Sequence, residues 1–192
     1  MCYVLRDYMS YHSGDQLINP QVLFEKARLA SDMHVADFGA GRTGHVVFPA
    51  GLVVGEKGVV YAVDILKDVL ESIRKRAALE NYLNIHPVWA DIEREGMVAI
   101  PKSSLDAVFM VNVLFHCKNW TAPLSEAERL LRDKGRIIIV DWVKRLANLG
   151  PGAAEFVDFK RIAVWARSHD FAIQEDFALS PYHRCLVLFR HE

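Results

Sequence analysis

The sequence predicts an α/β fold in which helices cover both faces of a mostly parallel sheet. Short apolar runs of strand length alternate with segments of helical periodicity, and a glycine-rich turn, G-A-G-R-T-G at 39–44, follows the first run. The second run, G-V-V-Y-A-V-D, ends on Asp64. A strand, a glycine turn, a helix and a second strand that ends on an acidic residue together form a nucleoside-binding half of a doubly wound sheet.

Local signals place the elements in order. Asn19 followed by Pro20 is a capping residue before a proline, which predicts a helix start. That helix runs to Ser31, and the first strand follows directly. Further strands are predicted at about 59–63, 86–90, 107–111 and 137–140, and helices at about 45–54, 68–81 and from Leu124 to Gly135.

The C-terminal part of the chain predicts a helix and then a hairpin. Glu155 to His169 has helical periodicity, and two β-rich segments follow at 171–179 and 184–190. Four residues, 180–183, separate these segments, whereas a parallel crossover needs about a dozen residues or more. The final two strands are therefore predicted to be antiparallel, a feature that a dinucleotide-binding fold would not predict.

Length and composition are those of one compact domain. The chain has 192 residues, of which 52% are hydrophobic; a chain of this length buries about 70% of its unfolded surface without help from metals or disulfides. It carries 23 basic and 24 acidic residues, so no net field draws it to nucleic acid or to an anionic membrane. Cys2, Cys117 and Cys185 lack metal-ligand spacing, and no apolar run is long enough to span a membrane. We expect a cytoplasmic protein without a metal.

The glycine pattern alone fits two cofactors, dinucleotides and S-adenosylmethionine, and it also occurs in ordinary strand-to-helix turns. Asp37 stands two residues before Gly39. A negative charge there would repel a pyrophosphate, whereas it would attract the ammonium group of a methionine moiety. The charge therefore favours S-adenosylmethionine as the cofactor.

Segments beyond the glycine turn carry a family resemblance. They are V-V-Y-A-V-D-I, H-P-V-W-A-D-I, L-D-A-V-F-M-V-N-V-L-F-H, P-L-S-E-A-E-R-L-L-R-D-K-G-R-I-I-I-V-D-W and S-P-Y-H-R-C-L-V-L-F-R. This ordered series resembles the class I S-adenosylmethionine-dependent methyltransferases, in particular the small-molecule branch that includes quinone-biosynthesis enzymes. The resemblance covers nearly the whole chain. It implies a Rossmann-like, doubly wound, mostly parallel sheet of seven strands, with order 3-2-1-4-5-7-6 and an antiparallel last strand.

The resemblance also implies the cofactor contacts. Gly39 and Gly41 would hold the methionine part, Asp64 the ribose hydroxyls, and Asp91 with the Ile92 backbone the adenine. The family usually spaces its glycines two apart, whereas here the third glycine is Gly44 and the loop is one residue longer. The complete predicted cofactor set is Asp37, Gly39, Ala40, Gly41, Thr43, Gly44, Asp64, Ile65, Asp91, Ile92 and Asn112.

Two polar residues after the fourth apolar run, Asn112 and His116, are the candidates for catalysis. Methyl transfer from a sulfonium mainly requires positioning, which can supply about 7–11 kcal/mol, so no fixed catalytic set is expected. An imidazole can accept a proton from a hydroxyl nucleophile at neutral pH. Structural interpretations are also open: Asn112 as a loop anchor and His116 as a helix cap. Further predicted lining residues are Phe115, Asp141 and Trp142, because the ends of neighbouring parallel strands meet at one edge.

The sequence therefore predicts an S-adenosylmethionine-dependent methyltransferase acting on an unidentified small molecule, without a nucleic-acid or membrane partner. One alternative is a methyltransferase-like protein that binds the cofactor without turnover. Another is a nicotinamide-dependent oxidoreductase, which is disfavoured because the chain has no Tyr-x-x-x-Lys sequence.

Residues 20–192 are interpreted as a single methyltransferase domain, and residues 1–19 as an N-terminal arm. The arm contains Tyr3, Tyr8 and Tyr11, an unusual density of aromatic rings for a solvated tail. Two interpretations remain open for it: a lid that folds over the cofactor mouth, or an arm that packs permanently on the domain surface.

Overall fold

The computed structural model describes residues 17–152 and 154–191, and the strands found there are β1 (His34–Phe38), β2 (Val59–Asp64), β3 (Ile85–Trp89), β4 (Leu105–Val111), β5 (Leu131–Trp142), β6 (Phe171–Ala178) and β7 (His183–Arg190). They form one seven-stranded sheet with order β3-β2-β1-β4-β5-β7-β6. Strands β1 to β5 pair in parallel, whereas β7 is antiparallel to both β5 and β6. The predicted strand order and reversed last strand are confirmed.

Helices cover both faces of this sheet. One apolar core contains buried residues of α1 (Pro20–Ala27), α2 (Val47–Val54) and α3 (Lys67–Leu79). The opposite core contains those of α4 (Thr121–Leu130) and α5 (Phe159–Ser168). Successive strand residues alternate between the two cores, as Val35 and Ala36 of β1 do. The central strands are predominantly apolar because both of their faces are buried.

Two helices begin at side-chain caps. The Asn19 side chain accepts a hydrogen bond of 2.9 Å from the backbone N–H of Gln21, which confirms the predicted start of α1. The predicted start of α5 at Glu155 is wrong, because the helix begins at Phe159. Asp158 caps it by accepting two backbone N–H groups of the first turn. This acid therefore marks the helix start more reliably than the apolar periodicity does.

The predicted end of α4 also differs from the structure. The helix ends at Leu130 and not at Gly135, because Leu131 already pairs with Leu105 of β4. Pairing with a buried strand overrides the helical tendency of the segment that follows. Lys134, with φ at 62°, then turns the chain before the regular part of β5 begins.

The predicted arm of residues 1–19 falls largely outside the described residues, which begin at residue 17. The lid and the docked arm therefore both stay predictions. Ile18 is buried in the core beside α1. Among the helices in residues 17–152 and 154–191, none combines the length and the apolar character that crossing a membrane requires.

Candidate functional site

A cavity of ≈ 560 Å³ opens at the carboxyl edge of the sheet, where β1 to β4 end. Strand order reverses between β1 and β4, and such a switch point is where doubly wound sheets bind ligands. Its volume lies within the usual range for small-molecule sites. The lining residues are Gly39, Gly41, Arg42, Asp64, Ile65, Leu66, Val69, Ala90, Asp91, Ile92, Glu93, Asn112, Val113, His116 and Cys117.

The first glycine of the loop is required by a close contact. Gly39 has φ +76°, and a Cβ atom built there would lie 2.6 Å from Cγ2 of Val113. The N–H groups of Gly39 and Ala40 both donate to the carbonyl of Val63 at the end of β2, at 2.8 and 3.1 Å. The loop is thereby fixed between β2 and the segment after β4, at the floor of the cavity.

Asp64 joins this loop to the end of β2. Its Oδ2 accepts a hydrogen bond of 3.1 Å from the N–H of Gly41, and its Oδ1 accepts one of 2.9 Å from the N–H of Leu66. The residue is 8% exposed and lines the cavity. Each carboxylate oxygen has two lone pairs, so each retains one that a ribose hydroxyl could use.

Asp37 lies beneath the glycine loop near the end of β1. It is buried, and its Oδ1 has no hydrogen-bond partner in the part of the chain that the structure describes. Burial raises the pKa of Asp37 to about 7, and the nearby charge of Asp64 adds to the shift. A cationic group beside this oxygen would stabilise the ionised form of Asp37.

The two predicted catalytic candidates both lie in the cavity wall. Asn112 has φ 54°, its N–H donates to the carbonyl of Val140 at 2.8 Å, and its buried Oδ1 lacks a partner within the described residues. Its backbone is thus an anchor, and its side chain is still available for a ligand. His116 ends the 3-10 turn Leu114–His116, and its ring centroid lies 3.8 Å from that of Phe115.

Apolar and acidic groups share the region after β2 and β3. Ile65 and Leu66 are more than half exposed and provide apolar walls. Asp91 caps its own turn, because its Oδ1 accepts the N–H of Glu93 at 3.0 Å. Asp91 therefore caps the turn after β3, and it lines the cavity as well.

The charge of the lining favours a cationic ligand. Its acids are Asp64, Asp91 and Glu93, whereas Arg42 is its basic residue and is already paired with Asp68 at the rim. A cavity whose charged lining groups are mainly carboxylates attracts cations and repels pyrophosphate. The structure thus extends the argument that Asp37 supplied from sequence.

Four predicted cofactor residues, Asp37, Ala40, Thr43 and Gly44, do not line this cavity. Gly44 has φ +57°, and a Cβ atom there would lie 2.6 Å from Cε2 of Phe48, so this glycine permits close packing on α2. The Thr43 carbonyl accepts a 3.0 Å hydrogen bond from Arg76 of α3. The additional loop length is thus used to attach the loop to the neighbouring helices.

Several lining residues were missed by sequence reasoning, among them Leu66, Val69, Glu93, Val113 and Cys117. Their common signal is position, because they follow the carboxyl ends of the predicted strands. Burial raises the pKa of the Cys117 thiol to about 12, so it stays protonated at neutral pH.

Phe115, Asp141 and Trp142, by contrast, were expected to line the cavity but do not. The backbone N–H of Phe115 donates to the buried carboxylate of Asp141, and Trp142 lies at the end of β5 against His183. Asp141 therefore contacts the turn behind the cavity wall and does not face the cavity itself.

Comparisons with known proteins agree with this geometry. A protein-family model described as "Methyltransferase domain" matches residues 29–170. A curated relative from Sulfurisphaera tokodaii, a probable cobalt-precorrin-6B C(15)-methyltransferase (decarboxylating), is 34% identical over 116 residues. That alignment covers 59% of this chain and 56% of the relative, so it spans just over half of that protein.

Solved structures share the whole fold. A SAM-dependent methyltransferase from Aquifex aeolicus superposes with a TM-score of 0.81 at 18% identity, over 95% of each chain. The [4+2]-cyclase SpnF superposes with a TM-score of 0.76 at 13% identity, over 92% of this chain and 81% of its own. At such identities the likeness concerns the fold alone.

The match of the family model over most of the chain shows that this protein belongs to the methyltransferase-domain family. Together with the strand order and the cavity, it places the chain among the class I methyltransferases, whose cofactor is S-adenosylmethionine. Membership of the quinone-biosynthesis-like branch stays a prediction.

Proposed function

We propose that this protein transfers a methyl group from S-adenosylmethionine to a small-molecule acceptor. The observation that carries the proposal is the acidic cavity at the switch point of the sheet, which combines a glycine loop with the free acceptor positions of Asp64. The described residues fit the cofactor in size and in charge.

Within this cavity the glycine loop, with Gly39 and Gly41, would hold the methionine part. Asp37 would offer its unpartnered Oδ1 to the ammonium group, because a buried anion is stabilised by a cation. Asp64 would accept both ribose hydroxyls with the lone pairs that its backbone hydrogen bonds leave free. At the far side Asp91 and the Ile92 backbone would contact the adenine.

When bound, the cofactor supplies a methyl carbon that its sulfonium has already activated. The chain's own task is to hold the acceptor in line with that carbon and to exclude water. His116 follows β4, which is the neighbour of β1 and its glycine loop. From this side it could accept the proton of a hydroxyl nucleophile, while Asn112 orients the acceptor.

The acceptor is proposed to be a small molecule. The relative from Sulfurisphaera tokodaii carries the name of an enzyme acting on cobalt-precorrin-6B, which supports this class of substrate. Since that alignment covers 56% of the relative, the identity of its substrate is not transferred to this chain.

A second candidate is a protein that uses the bound cofactor without methyl turnover. The observation favouring it is the likeness to SpnF, a [4+2]-cyclase with the same fold. The fold alone therefore does not determine the reaction.

One pair of measurements tests the proposal. Calorimetric titration with S-adenosylhomocysteine should give saturable binding, whereas NADH should give none. Incubation with methyl-labelled S-adenosylmethionine and a metabolite extract should then label a small molecule. Binding without labelling in any extract would favour the second candidate, and preference for NADH would refute both.

A further inference from the structure

Asp141, near the end of β5, is a buried carboxylate that faces the back of the cavity wall. Its Oδ2 accepts a hydrogen bond of 3.3 Å from the N–H of Phe115, and its Oδ1 accepts one of 2.8 Å from the N–H of Trp142. The side chain is fully buried, and burial raises its pKa to about 7, although these hydrogen bonds and one from the Leu114 backbone oppose the shift.

Phe115 is the central residue of the 3-10 turn Leu114–His116, so Asp141 attaches this turn to the neighbouring strand. The turn is short, and such turns have poorer hydrogen-bond geometry than an α-helix. Its attachment therefore depends on partners outside the turn.

The residues on both sides of this turn form one wall of the cavity. His116 and Cys117 line it directly, and Val113 lines it and meets the glycine loop at Gly39. A displacement of the turn would move His116 and would loosen the contact that fixes Gly39. Asp141 lies outside the cavity but is connected to it through hydrogen bonds from the backbone of Leu114 and Phe115.

We infer that Asp141 is a positioning residue for the cofactor site: its carboxylate holds the turn Leu114–His116 so that Val113 and His116 form the cavity wall. The inference rests on the proposed function, because the ligand of that cavity is taken to be S-adenosylmethionine or its product. It assigns to a residue of β5 an influence on ligand affinity, although that residue does not line the cavity.

Asp106 provides a matched control at the amino end of β4, whereas the cavity lies at the carboxyl ends of the strands. Its Oδ2 also accepts a backbone N–H across strands, from His34 at 2.7 Å, and it pairs with Arg132. Loss of this carboxylate removes the same kind of interaction at a site remote from the cavity. Asp106→Asn should therefore lower stability without changing the affinity for the ligand.

The test is calorimetric binding of S-adenosylhomocysteine to the wild type, Asp141→Asn, Asp141→Leu and Asp106→Asn. Loss of a charge-assisted hydrogen bond should weaken binding about tenfold in Asp141→Leu. Asparagine retains one acceptor oxygen, so Asp141→Asn should lose about threefold. Hydrogen exchange at the Phe115 amide should accelerate in Asp141→Leu and stay unchanged in Asp106→Asn.

Equal affinity of the wild type and both Asp141 variants, within twofold, would overturn the positioning role while leaving the proposed function intact. Failure of the wild type itself to bind S-adenosylhomocysteine would instead refute the proposed function. If the Asp141 variants do not fold, the wild type alone provides the test. Binding of S-adenosylhomocysteine should then slow hydrogen exchange at its Phe115 amide. Unchanged exchange at that amide would overturn the inference.

Discussion

Gly39 and Val113 meet so closely across the carboxyl edge of β1 and β4 that a Cβ atom on Gly39 would lie 2.6 Å from Cγ2 of Val113. This contact joins the glycine loop to the segment that carries Asn112 and His116. The glycine is thus needed for two reasons, its φ of +76° and the absence of space for a side chain.

A matched pair of alanine substitutions separates these two reasons. Gly96 has φ +77°, nearly the same as Gly39, but a Cβ atom there would meet nothing within 4 Å. Both variants carry the backbone penalty, whereas Gly39→Ala alone adds overpacking, so it should lose about 1–3 kcal/mol more stability than Gly96→Ala. Denaturant unfolding measures this difference, and equal losses would contradict the contact.

The ribose assignment is tested at Asp64. Since its carboxylate would make charge-assisted hydrogen bonds to the diol, Asp64→Ala should weaken S-adenosylhomocysteine binding by about 1.5–3 kcal/mol. Asp68 is the control, because it lies at the same rim in an exposed pair with Arg42. Asp68→Ala should bind nearly as well as the wild type. Unchanged affinity in a folded Asp64→Ala protein would contradict the assignment.

The sheet could be predicted from sequence because its signals are local. Buried central strands are continuous apolar runs, as in Ile137–Val140, and the short link at Ser180–His183 permits only an antiparallel pair. The position of the cavity followed from the same reasoning. Asp64 ends β2, Asn112 and His116 follow β4, and all three line the cavity.

What the sequence did not reveal depends on contacts between distant segments. Gly44 belongs to the glycine pattern, but it serves packing against Phe48, and neither spacing nor residue type distinguishes that use. Asp141 was expected in the lining because it ends a strand. Its side chain instead faces the backbone of Phe115, a relationship set by how the turn after β4 folds back.

The raised pKa of Asp37 predicts a pH-dependent affinity. Its carboxyl titrates at about 7 in the free protein, and the ammonium of the ligand favours the ionised form. Binding of S-adenosylhomocysteine should therefore weaken as the pH falls from 8 to 6, by up to about tenfold for one group. Calorimetry at several pH values measures the slope.

Asp37→Asn is the corresponding variant. It should bind more weakly at pH 8 and should show a smaller change between pH 8 and 6. Asp141, whose pKa burial also raises to about 7, is a second group that titrates in this range. Wild-type affinity that is equal at both pH values would contradict the proposed ammonium contact.

His183 lies at the start of β7, opposite Trp142 of β5, and is fully buried. The Oγ of Ser180 accepts hydrogen bonds from the N–H groups of Tyr182 and His183, at 3.2 and 3.1 Å, and lies 3.2 Å from Nδ1 of His183. Because both lone pairs of this hydroxyl are used, its proton is donated to Nδ1. The imidazole is therefore the neutral tautomer with its proton on Nε2.

Burial lowers the pKa of His183 to about 4, below its value of about 6.5 in an unfolded chain. Between these values the unfolded state binds a proton that the native state does not, so this residue's effect on stability is absent above pH 6.5 and becomes unfavourable as the pH falls toward 4. Asp37 and Asp141 have the opposite effect on stability. Their native pKa values lie above the unfolded ones, so their contribution to the free energy of unfolding becomes more favourable as the pH falls. The comparison with His183→Phe isolates the histidine: between pH 7 and 4.5 the wild type should lose about 2.4 kcal/mol relative to the variant. Denaturant unfolding at both pH values measures this, and a constant difference between the two proteins would contradict the buried neutral histidine.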